Sequence, residues 1–575
     1  EEGNALATLD SALNRIEFQM KQVLIINITR MGDLVQMGTL LVRLREEWPG
    51  CAIDLVIDHR FAPVAAMLPG LRDVIVRDVH QLVYESRAGV KDVVSLYGEV
   101  SAWAKPLLER KYDRVVNLTF NRASALLAGY VGAPDIRGAR SAWDGGTVID
   151  NPWMSYFTDM HHFRRINRFN LVDLYAMGGS KAGDFAPLQV SVDRETADWA
   201  RRYLCAAEQH PMPWIAVQAG ASDVMKAWRP EYFGSTLAWL SNHWSGGIVF
   251  LGAESERETI KRVLEAYRSA GGRNPVKNAV GHTTIDQVTA LLAECRLLLT
   301  NDTGPMHLAV AVRTPVVNIS VGHVDFKETG PYGPGHWVLQ PDLDCAPCGF
   351  DQVCPHHACK DRLSVEQVAE LLLHVLGRRP FPSEITGFRV YESYVDQDQL
   401  GAFRLRAGHE SAAVMWYGTF WRRYWYGLFT GMPSHIPAPI GTPPDLHEAL
   451  ALLEALAPEV EQACARAQRI VHAATTSPID VPTLQKLQHV QSQERETLAK
   501  RGMSRLVSSP VTTAFLRTIQ NDNMRGVGDL ARHHAFAYRQ WSAQLTQLIQ
   551  AFGPYHQGAP KRPSVPSANR QACVG

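Results

Sequence analysis

The chain has 575 residues, of which 46% are hydrophobic and 20% are charged. This length exceeds what one hydrophobic core usually serves, so we expect two or three domains and exclude a single small module. Lys and Arg together number 58, as do Asp and Glu, and this zero balance argues against nucleic acid as a partner.

The N-terminal sequence shows neither a basic region followed by an apolar run nor a small-residue cleavage site, and no stretch reaches the roughly 18 apolar residues of a membrane span. We therefore expect no transmembrane segment and a cytoplasmic location, with peripheral attachment at the inner membrane face left open. Residues 1–22 carry apolar side chains at helical spacing, which predicts a short N-terminal helix.

Two series of short apolar strands then alternate with helical sequence. Strands are predicted at 23–28, 52–58, 74–78 and 112–118 in the first series, and at 214–220, 246–253, 296–302 and 314–320 in the second. This alternation predicts parallel sheets covered on both faces. We predict an α/β fold of two Rossmann-like doubly wound domains, 23–190 and 191–380, that face a central crevice. Ligands of such folds bind at the carboxyl ends of the strands.

The sequence changes character after about residue 380. Helical periodicity predicts a mainly helical extension over 381–555, and the Pro-, Ser- and Gln-rich tail 556–575 is typical of disorder. The aromatic stretch 416–429 fits either a packed core or an interaction surface, and Arg422 and Arg423 argue against its complete burial.

Two loops of the second series have features of phosphate-binding loops. In TNDTGPMHLAVAV, a strand runs into Asp302-Thr303-Gly304, and Pro305 suits the first turn of a helix whose free N–H groups attract anions. A plain helix cap at Asp302 or Thr303 explains the same residues equally well. In AVQAGASDVMKAWRPEYF, small residues precede Lys226, which could add a positive charge or simply be solvated.

Three motifs in this order resemble the bacterial heptosyltransferases of glycosyltransferase family 9: ITRMGDLVQMGTLLVRLREEWPG, AVQAGASDVMKAWRPEYF and TNDTGPMHLAVAVRTPVV. The resemblance covers about residues 22–378. It implies the two-domain GT-B architecture, an ADP-heptose donor, and inversion at the anomeric carbon with no divalent ion required for catalysis.

The resemblance also implies roles for individual residues. Asp33 matches the general base, for which a helix cap is the simpler structural explanation, and Lys226 matches the lysine that faces the donor diphosphate and sugar. Glu256 corresponds to an acid on the donor ribose, with Glu254 as the alternative. The remaining implied donor-binding residues are Ser222, Thr283 near the adenine, Asp302, Thr303, Gly304 and His307.

Four of the nine cysteines fall within fifteen residues, in the pattern Cys-x2-Cys-x5-Cys-x4-Cys. Thiolates at this spacing can surround one ion, so Cys345, Cys348, Cys354 and Cys359 predict a structural metal site, with reduced free cysteines as the alternative. Spacing does not separate zinc from iron. Cysteine-rich loops also occur in family 9, where the autotransporter heptosyltransferases associate such a site with iron. Two Asp-x-Asp triplets, 342–344 and 396–398, are interpreted as surface acids.

The leading hypothesis is therefore an inverting transferase that moves a heptose from an ADP-sugar to a hydroxyl of a glycan, such as lipopolysaccharide core, or of a protein. The alternatives are an enzyme of the same architecture that uses another nucleotide sugar, as transferase or epimerase, and a non-catalytic scaffold with a decayed site. The helical extension is expected to select the acceptor or to mediate homo-oligomerisation.

Overall fold

The computed structural model describes residues 20–28, 30–78, 81, 91–142, 145–205, 212–349, 353–443, 445–476, 481–520 and 527–557. The N-terminal helix predicted over 1–22 lies almost entirely outside these residues, as does the predicted tail beyond residue 557. The described residues form two compact units. The first contains those up to Glu410 together with Trp421–Pro437, and the second contains Ser411–Phe420 and those from Ala438 onward.

The first α/β domain is built on a parallel five-stranded sheet with the order β3-β2-β1-β4-β5. Val23–Ile26 of the central strand is fully buried because helices cover both faces. The strands are β1 (Gln22–Ile26), β2 (Ala52–Asp58), β3 (Asp73–Arg77), β4 (Arg114–Asn117) and β5 (Asp135–Gly138), followed by the short pair β6 (Arg140–Ser141) and β7 (Thr147–Val148). The helices are α1 (Met31–Gln36), α2 (Gly38–Glu47), α3 (Ala62–Met67), α4 (Val93–Glu109), α5 (Arg122–Val131), α6 (Pro152–Asp159) and α7 (Leu171–Gly179).

The second sheet has eight strands in the order β10-β9-β8-β11-β12-β13-β14-β15, and only the last two run antiparallel to their neighbours. Its strands are β8 (Trp214–Gln218), β9 (Gly247–Phe250), β10 (Val276–Asn278), β11 (Leu298–Asn301), β12 (Val316–Ile319), β13 (Trp337–Pro341), β14 (Phe388–Val395) and β15 (Gly401–Ala407). Its helices are α8 (Arg194–Leu204), α9 (Pro230–Ser241), α10 (Arg257–Ser269), α11 (Ile285–Glu294), α12 (Gly304–Ala311), α13 (Phe326–Thr329) and α14 (Val365–Val375).

The predicted fold class is confirmed: two doubly wound α/β domains precede a mainly helical region. We expected the second domain to end near residue 380, but its sheet continues to Ala407, because β14 pairs with the edge strand β13 through Phe388–Glu392. The sequence FRVYESYV of β14 does not alternate regularly between apolar and polar residues, so it gave only a weak signal for a strand of this sheet.

Helix α15 (Ala412–Thr430) carries the aromatic stretch, and its C-terminal part belongs to the first unit. The ring of Trp425 lies 6.2 Å from that of Tyr156, and most of the stretch is buried core. Arg422 is also buried, contrary to our expectation, because it donates two hydrogen bonds to Asp398 (2.7 and 2.8 Å). Asp398 is therefore not a surface acid as predicted, whereas Asp342 and Asp344 are exposed.

The second unit is helical. Its helices after α15 are α16 (Leu446–Thr475), α17 (Val481–Gly502), α18 (Ser509–Gln520) and α19 (Val527–Gln557). Trp416 and Phe552 lie with ring centroids 5.5 Å apart, and Phe515 stacks on Trp541 at 4.1 Å, so aromatic packing forms much of this core. Among the described residues, no helix combines the length and apolarity needed to cross a membrane.

Candidate active site

Asp33 lies in the first turn of α1, just beyond the carboxyl end of β1. The following residues of α1 are buried against the sheet, whereas Asp33 is half-buried. Burial raises the pKa of Tyr175 well above its usual value; the Asp33 carboxylate raises it further and Arg30 lowers it. Asp33, Arg30 and Tyr175 therefore form one electrostatic neighbourhood at the edge of the first sheet.

The two predicted phosphate loops are held together by Asn301, the last residue of β11. Its amide donates to the carbonyl oxygens of Ala219 (2.9 Å) and Gly220 (3.1 Å), and its oxygen accepts from the backbone N–H of Trp228 (3.0 Å). Gly220 is needed here because a Cβ at this position would clash with the Glu256 carboxylate. Asn301 is not among the residues predicted from the sequence, although its position directly before the DTG residues was a usable signal.

The DTG loop is not a plain side-chain helix cap. Thr303 occupies the N-cap position of α12 without a capping hydrogen bond from its side chain. Its hydroxyl instead lies 3.2 Å from that of Thr300 and 3.3 Å from Gln218 Oε1. Asp302 is buried and accepts a hydrogen bond from Thr329 (3.0 Å). Among the described residues of the DTG loop, no side chain bonds the first backbone N–H groups of α12. These N–H groups are therefore available to other partners, such as an anion.

Burial also controls the ionisation of Asp302. It raises the pKa of this carboxyl to about 6, against the lowering effects of Lys226, the Thr329 hydrogen bond and Arg30. Lys226 ends a short 3-10 turn, Val224–Lys226, and is half-buried. Lys226 is thus an electrostatic neighbour of the DTG loop, whereas Ser222, in the same loop as Lys226, is exposed.

Helices α1 and α12 meet across the two α/β domains. A Cβ on Gly32 would lie 3.0 Å from the Cδ2 atom of His307, so glycine allows the helix backbone to approach this ring closely. His307 is buried, and its Nδ1 atom has no hydrogen-bond partner among the described residues. Burial, with a further contribution from Lys226, lowers the pKa of His307 to about 4. The ring is neutral at pH 7, lies against the helix that carries Asp33, and is within electrostatic reach of Lys226.

Several cationic side chains lie near His323, and two of them, Lys226 and Arg30, also act on Asp302. Burial lowers the pKa of His323; Asp223 opposes this effect, and Lys226, Arg164 and Arg30 add to it. Arg30 precedes the MGD turn directly, so the sequence offered a signal for it. Nothing in the local sequence pointed to Arg164 or His323, because both approach the site only through the fold.

The structure distinguishes the two acidic candidates for the donor ribose. Glu256 accepts hydrogen bonds from Gln218 Nε2 (3.0 Å) and from the N–H of Ala253 (2.8 Å), at the carboxyl end of β8. Glu254 is exposed and paired with Arg257. Thr283 follows β10 and donates to the carbonyl of Ala279 (3.2 Å). Glu256 therefore lies beside the loop that begins at Gly220, and Glu254 faces solvent.

The four cysteines of the predicted metal site are near one another, but their sulfur atoms are not close enough to form a metal-binding cluster. Burial raises the pKa of the Cys348 thiol to about 11, and Cys345, Cys359 and Cys354 contribute to that rise. No three of the four sulfurs, all of them in described residues, lie within 4.8 Å of one another. Among the residues that the structure describes, the one group of potential ligands this close together is Asp58, His59 and Asp78. Asp58 already accepts a hydrogen bond from Arg60 Nε (2.7 Å).

Arg164 connects this cysteine loop to both α/β domains. Its guanidinium donates two hydrogen bonds to Glu328 (2.9 and 3.0 Å) and a third to the carbonyl of Cys348 (3.1 Å), and all three contacts are buried. A paired arginine of this kind fixes geometry strongly, because loss of either partner leaves a buried charge. The cysteine loop is thus tied to the segment between α6 and α7 of the first domain.

Comparison with known proteins identifies the class. Residues 100–358 match the family model described as Glycosyltransferase family 9 (heptosyltransferase). Residues 100–358 are therefore similar to glycosyltransferase family 9, a family of enzymes, in agreement with the resemblance given by the three motifs.

Individual relatives bear heptosyltransferase names. Lipooligosaccharide heptosyltransferase 2 of Campylobacter jejuni is 32% identical over 167 residues, which is 28% of this chain and 50% of that protein. Lipopolysaccharide heptosyltransferase 2 of Escherichia coli K12 is 24% identical over 366 residues, 62% of this chain and 96% of that protein. The solved E. coli ADP-heptose lps heptosyltransferase II is 19% identical, with a TM-score of 0.45 over 62% of this chain and 99% of that one. The chain spans about half the length of the first of these relatives.

Proposed function

We propose that this chain transfers a heptose from ADP-heptose to an acceptor hydroxyl, with inversion at the anomeric carbon. The observation that carries the proposal is the contact of α1 with α12, where Gly32 lies against His307. This contact puts the helix that carries the half-buried Asp33 against the helix that follows the DTG loop, and Lys226 of the other loop acts electrostatically on Asp302. Relatives named as heptosyltransferases, including one named for ADP-heptose, support the choice of donor.

The donor diphosphate is proposed to lie between Lys226 and the N-terminus of α12. Thr303 and Gly304 offer backbone N–H groups there, and the helix dipole favours an anion. As the glycosidic bond to the diphosphate breaks, negative charge grows on the leaving group, and Lys226 stabilises it. Ser222 lines the same loop. Glu256 is proposed to hold the ribose hydroxyls, and Thr283 to lie near the adenine.

Asp33 is proposed as the general base. A sugar hydroxyl is a poor nucleophile until a carboxylate takes its proton, and a side chain in the first turn of α1 can reach an acceptor held on the first domain. Neutral His307 adds no competing positive charge beside this carboxylate, since its pKa lies near 4. Catalysis by these residues needs no divalent ion.

The acceptor is proposed to be the heptose- or sugar-bearing core of a lipopolysaccharide, since the relatives carry lipopolysaccharide or lipooligosaccharide names. A protein hydroxyl is the alternative, and the helical unit is proposed to select between acceptors or to mediate self-association. Incubation with ADP-heptose and each acceptor class, followed by mass spectrometry of the products, tests this assignment. Transfer only to protein would overturn the glycan acceptor.

The donor is tested separately by a screen of nucleotide sugars. We expect ADP-heptose to be consumed and UDP- and GDP-sugars to be left intact, with product formed only when acceptor is present. Epimerised sugar without transfer would instead identify an epimerase. As a matched pair, Glu256→Gln should weaken ADP binding about tenfold through loss of a charged hydrogen-bond acceptor, and Glu254→Gln should leave it unchanged, since Glu254 is exposed.

We also propose that Cys345, Cys348, Cys354 and Cys359 hold one structural zinc or iron ion. The mutual effects of these thiols place them as neighbours, and thiolates suit both metals in a tetrahedral site. Elemental analysis of protein purified without added metal should give about one equivalent. Cys354→Ser should lower this value and Cys205→Ser, an exposed cysteine outside the loop, should not. Less than about 0.2 equivalents of both metals in folded protein would refute the site.

A further inference from the structure

Lys360 is a buried lysine that directly follows the cysteine loop (345–359). It is only 7% exposed, whereas lysines are rarely buried unless they are paired. Its Nζ atom donates a hydrogen bond to the carbonyl oxygen of Val224 (2.6 Å). Val224 is the first residue of the 3-10 turn that ends at Lys226. The turn that carries Lys226 is therefore bonded to a residue 136 positions away from Val224.

The carbonyl that Lys360 bonds is the one that closes this turn. It also accepts the N–H of Ala227, at a distance of 3.3 Å that is long for such a bond. Other bonds of the turn go to Asp223, within the same loop. The bond from Lys360 is shorter and has a charged donor, which makes it the stronger of the two bonds to the Val224 carbonyl. Lys360 therefore fixes a short turn to a different segment of the chain.

Two further contacts join the same two segments. The indole N–H of the buried Trp228 donates to the carbonyl oxygen of Lys360 (2.9 Å). The carboxylate of Asp361 accepts two hydrogen bonds from the guanidinium of Arg229 (2.5 and 2.8 Å). This ion pair is partly exposed and contributes little energy, but its two-point geometry fixes an orientation. Residues 224–229 are thus held at three places by two successive residues.

The turn is also packed closely against Gly322. This glycine has a φ of +71°, and a Cβ at its position would clash with the carbonyl oxygen of Met225, so glycine allows the two backbones to approach. The carbonyl oxygen of Gly322 accepts the N–H of Cys348 (3.0 Å). The cysteine loop therefore contacts the turn through Gly322, and the residue that follows the loop, Lys360, contacts it directly.

We propose that Lys360 is a positioning residue for donor binding, which holds the Val224–Lys226 turn so that the Lys226 ammonium meets the donor diphosphate. Lys360 acts through the turn and not on the donor itself, because its own ammonium is bonded to a main-chain oxygen. Placement matters because the attraction between two charges falls with their separation. The proposal rests on the proposed role of Lys226, and it makes that role depend on the residue that follows the cysteine loop.

Hydrogen–deuterium exchange of the amides in 225–228, in the full chain without donor, tests the contact itself. Lys360→Met keeps the apolar stem but cannot donate, and it should speed this exchange at least about tenfold. Lys277→Met is the matched control, because Lys277 also donates to a main-chain carbonyl, that of Tyr203. Lys277 lies beside Trp214, the first residue of β8, at the edge of the sheet opposite the donor loops. The control should leave the exchange of 225–228 unchanged.

Thermal melting checks that each variant is folded. Lys360→Gln, which keeps a polar side chain, provides the same test if Lys360→Met melts early. Wild-type exchange of 225–228 in the folded Lys360 variant overturns the proposal, as does equal acceleration by Lys277→Met.

Calorimetric titration then tests whether Lys360 acts through Lys226. Lys360→Met should weaken ADP binding about tenfold and leave adenosine binding unchanged, because adenosine has no diphosphate. In the Lys226→Ala background, Lys360→Met should cause no further loss of ADP affinity. An equal loss of ADP affinity in both backgrounds, or an equal loss for adenosine, overturns the proposal.

The two measurements separate this proposal from the proposed function. Unchanged exchange in Lys360→Met, together with weakened ADP binding by Lys226→Ala, overturns the role of Lys360 alone. Faster exchange in Lys360→Met, with wild-type ADP affinity in both single variants, overturns the donor role of Lys226 and the positioning role with it.

Discussion

Lys226→Ala is the substitution whose effect on the donor site follows most directly from the structure. Lys226 is half-buried and shifts the pKa values of both Asp302 and His307, so its charge acts at the entrance to α12. A hydrogen bond between charged groups in such a place contributes about 1.5–3 kcal/mol. Its loss should therefore weaken ADP binding by roughly 10- to 150-fold. Calorimetric titration with ADP measures this directly.

Lys261→Ala is the matched control. Lys261 lies on α10 of the same domain, is exposed, and is paired with Glu258, so its removal changes the net charge equally without changing the site. Its effect on ADP affinity should stay within about twofold and vanish at high salt, as for other exposed charges. If Lys226→Ala binds ADP as wild type does, or no more weakly than Lys261→Ala, Lys226 does not hold the diphosphate.

Three further predictions concern stability and the helical unit. Arg422→Met should lower the free energy of unfolding by about 3–5 kcal/mol in denaturant titration, since it leaves Asp398 buried without its cation. The control Arg404→Met, on the exposed face of β15, should lower it by less than about 1 kcal/mol. Equal losses of stability in the two variants would contradict the buried pair. The pKa of His307 falls from 6.5 to about 4 on folding, so between pH 6.5 and about 4 the unfolded chain binds more protons than the folded one. The free energy of unfolding therefore falls as the pH drops through this range, by up to about 3 kcal/mol. In melting curves recorded over this range, His307→Leu should reduce the loss of stability with falling pH, and an unchanged dependence on pH would refute the shift. A chain shortened to residues 1–437 keeps β14 and β15 in their sheet and should bind ADP with wild-type affinity. It should no longer transfer sugar to the natural acceptor, as measured by mass spectrometry. Transfer at wild-type efficiency would show that the helical unit does not select the acceptor.

Fold class was accessible from the sequence because buried parallel strands are continuous apolar runs. Val23–Ile26 and Ala52–Asp58 match their predicted strands within two residues. Strand β14 was harder to assign to the second sheet, because its pairing with β13 joins segments about fifty residues apart. Such long-range pairing is set by the fold and leaves little trace in a local window.

The sequence also nominated candidate site residues. Motif order pointed to Asp33, Lys226 and the DTG loop, and each follows a strand at the carboxyl edge of its sheet. Local sequence did not reveal that Arg164 would pair with Glu328, 164 positions away. It likewise underestimated Arg422, because the burial of a charged residue depends on a partner, here Asp398, that only the folded chain supplies.

The most direct test of the central claim is the rate of heptose transfer by Asp33→Asn, followed by mass spectrometry with ADP-heptose and the natural acceptor. Asparagine keeps the size and position of the side chain in α1 but cannot take the acceptor proton. We predict a fall in kcat of about 100-fold or more, with ADP affinity and melting temperature unchanged. A rate near that of wild type, in protein that melts normally, would contradict Asp33 as the base and leave it only a place in the first turn of α1.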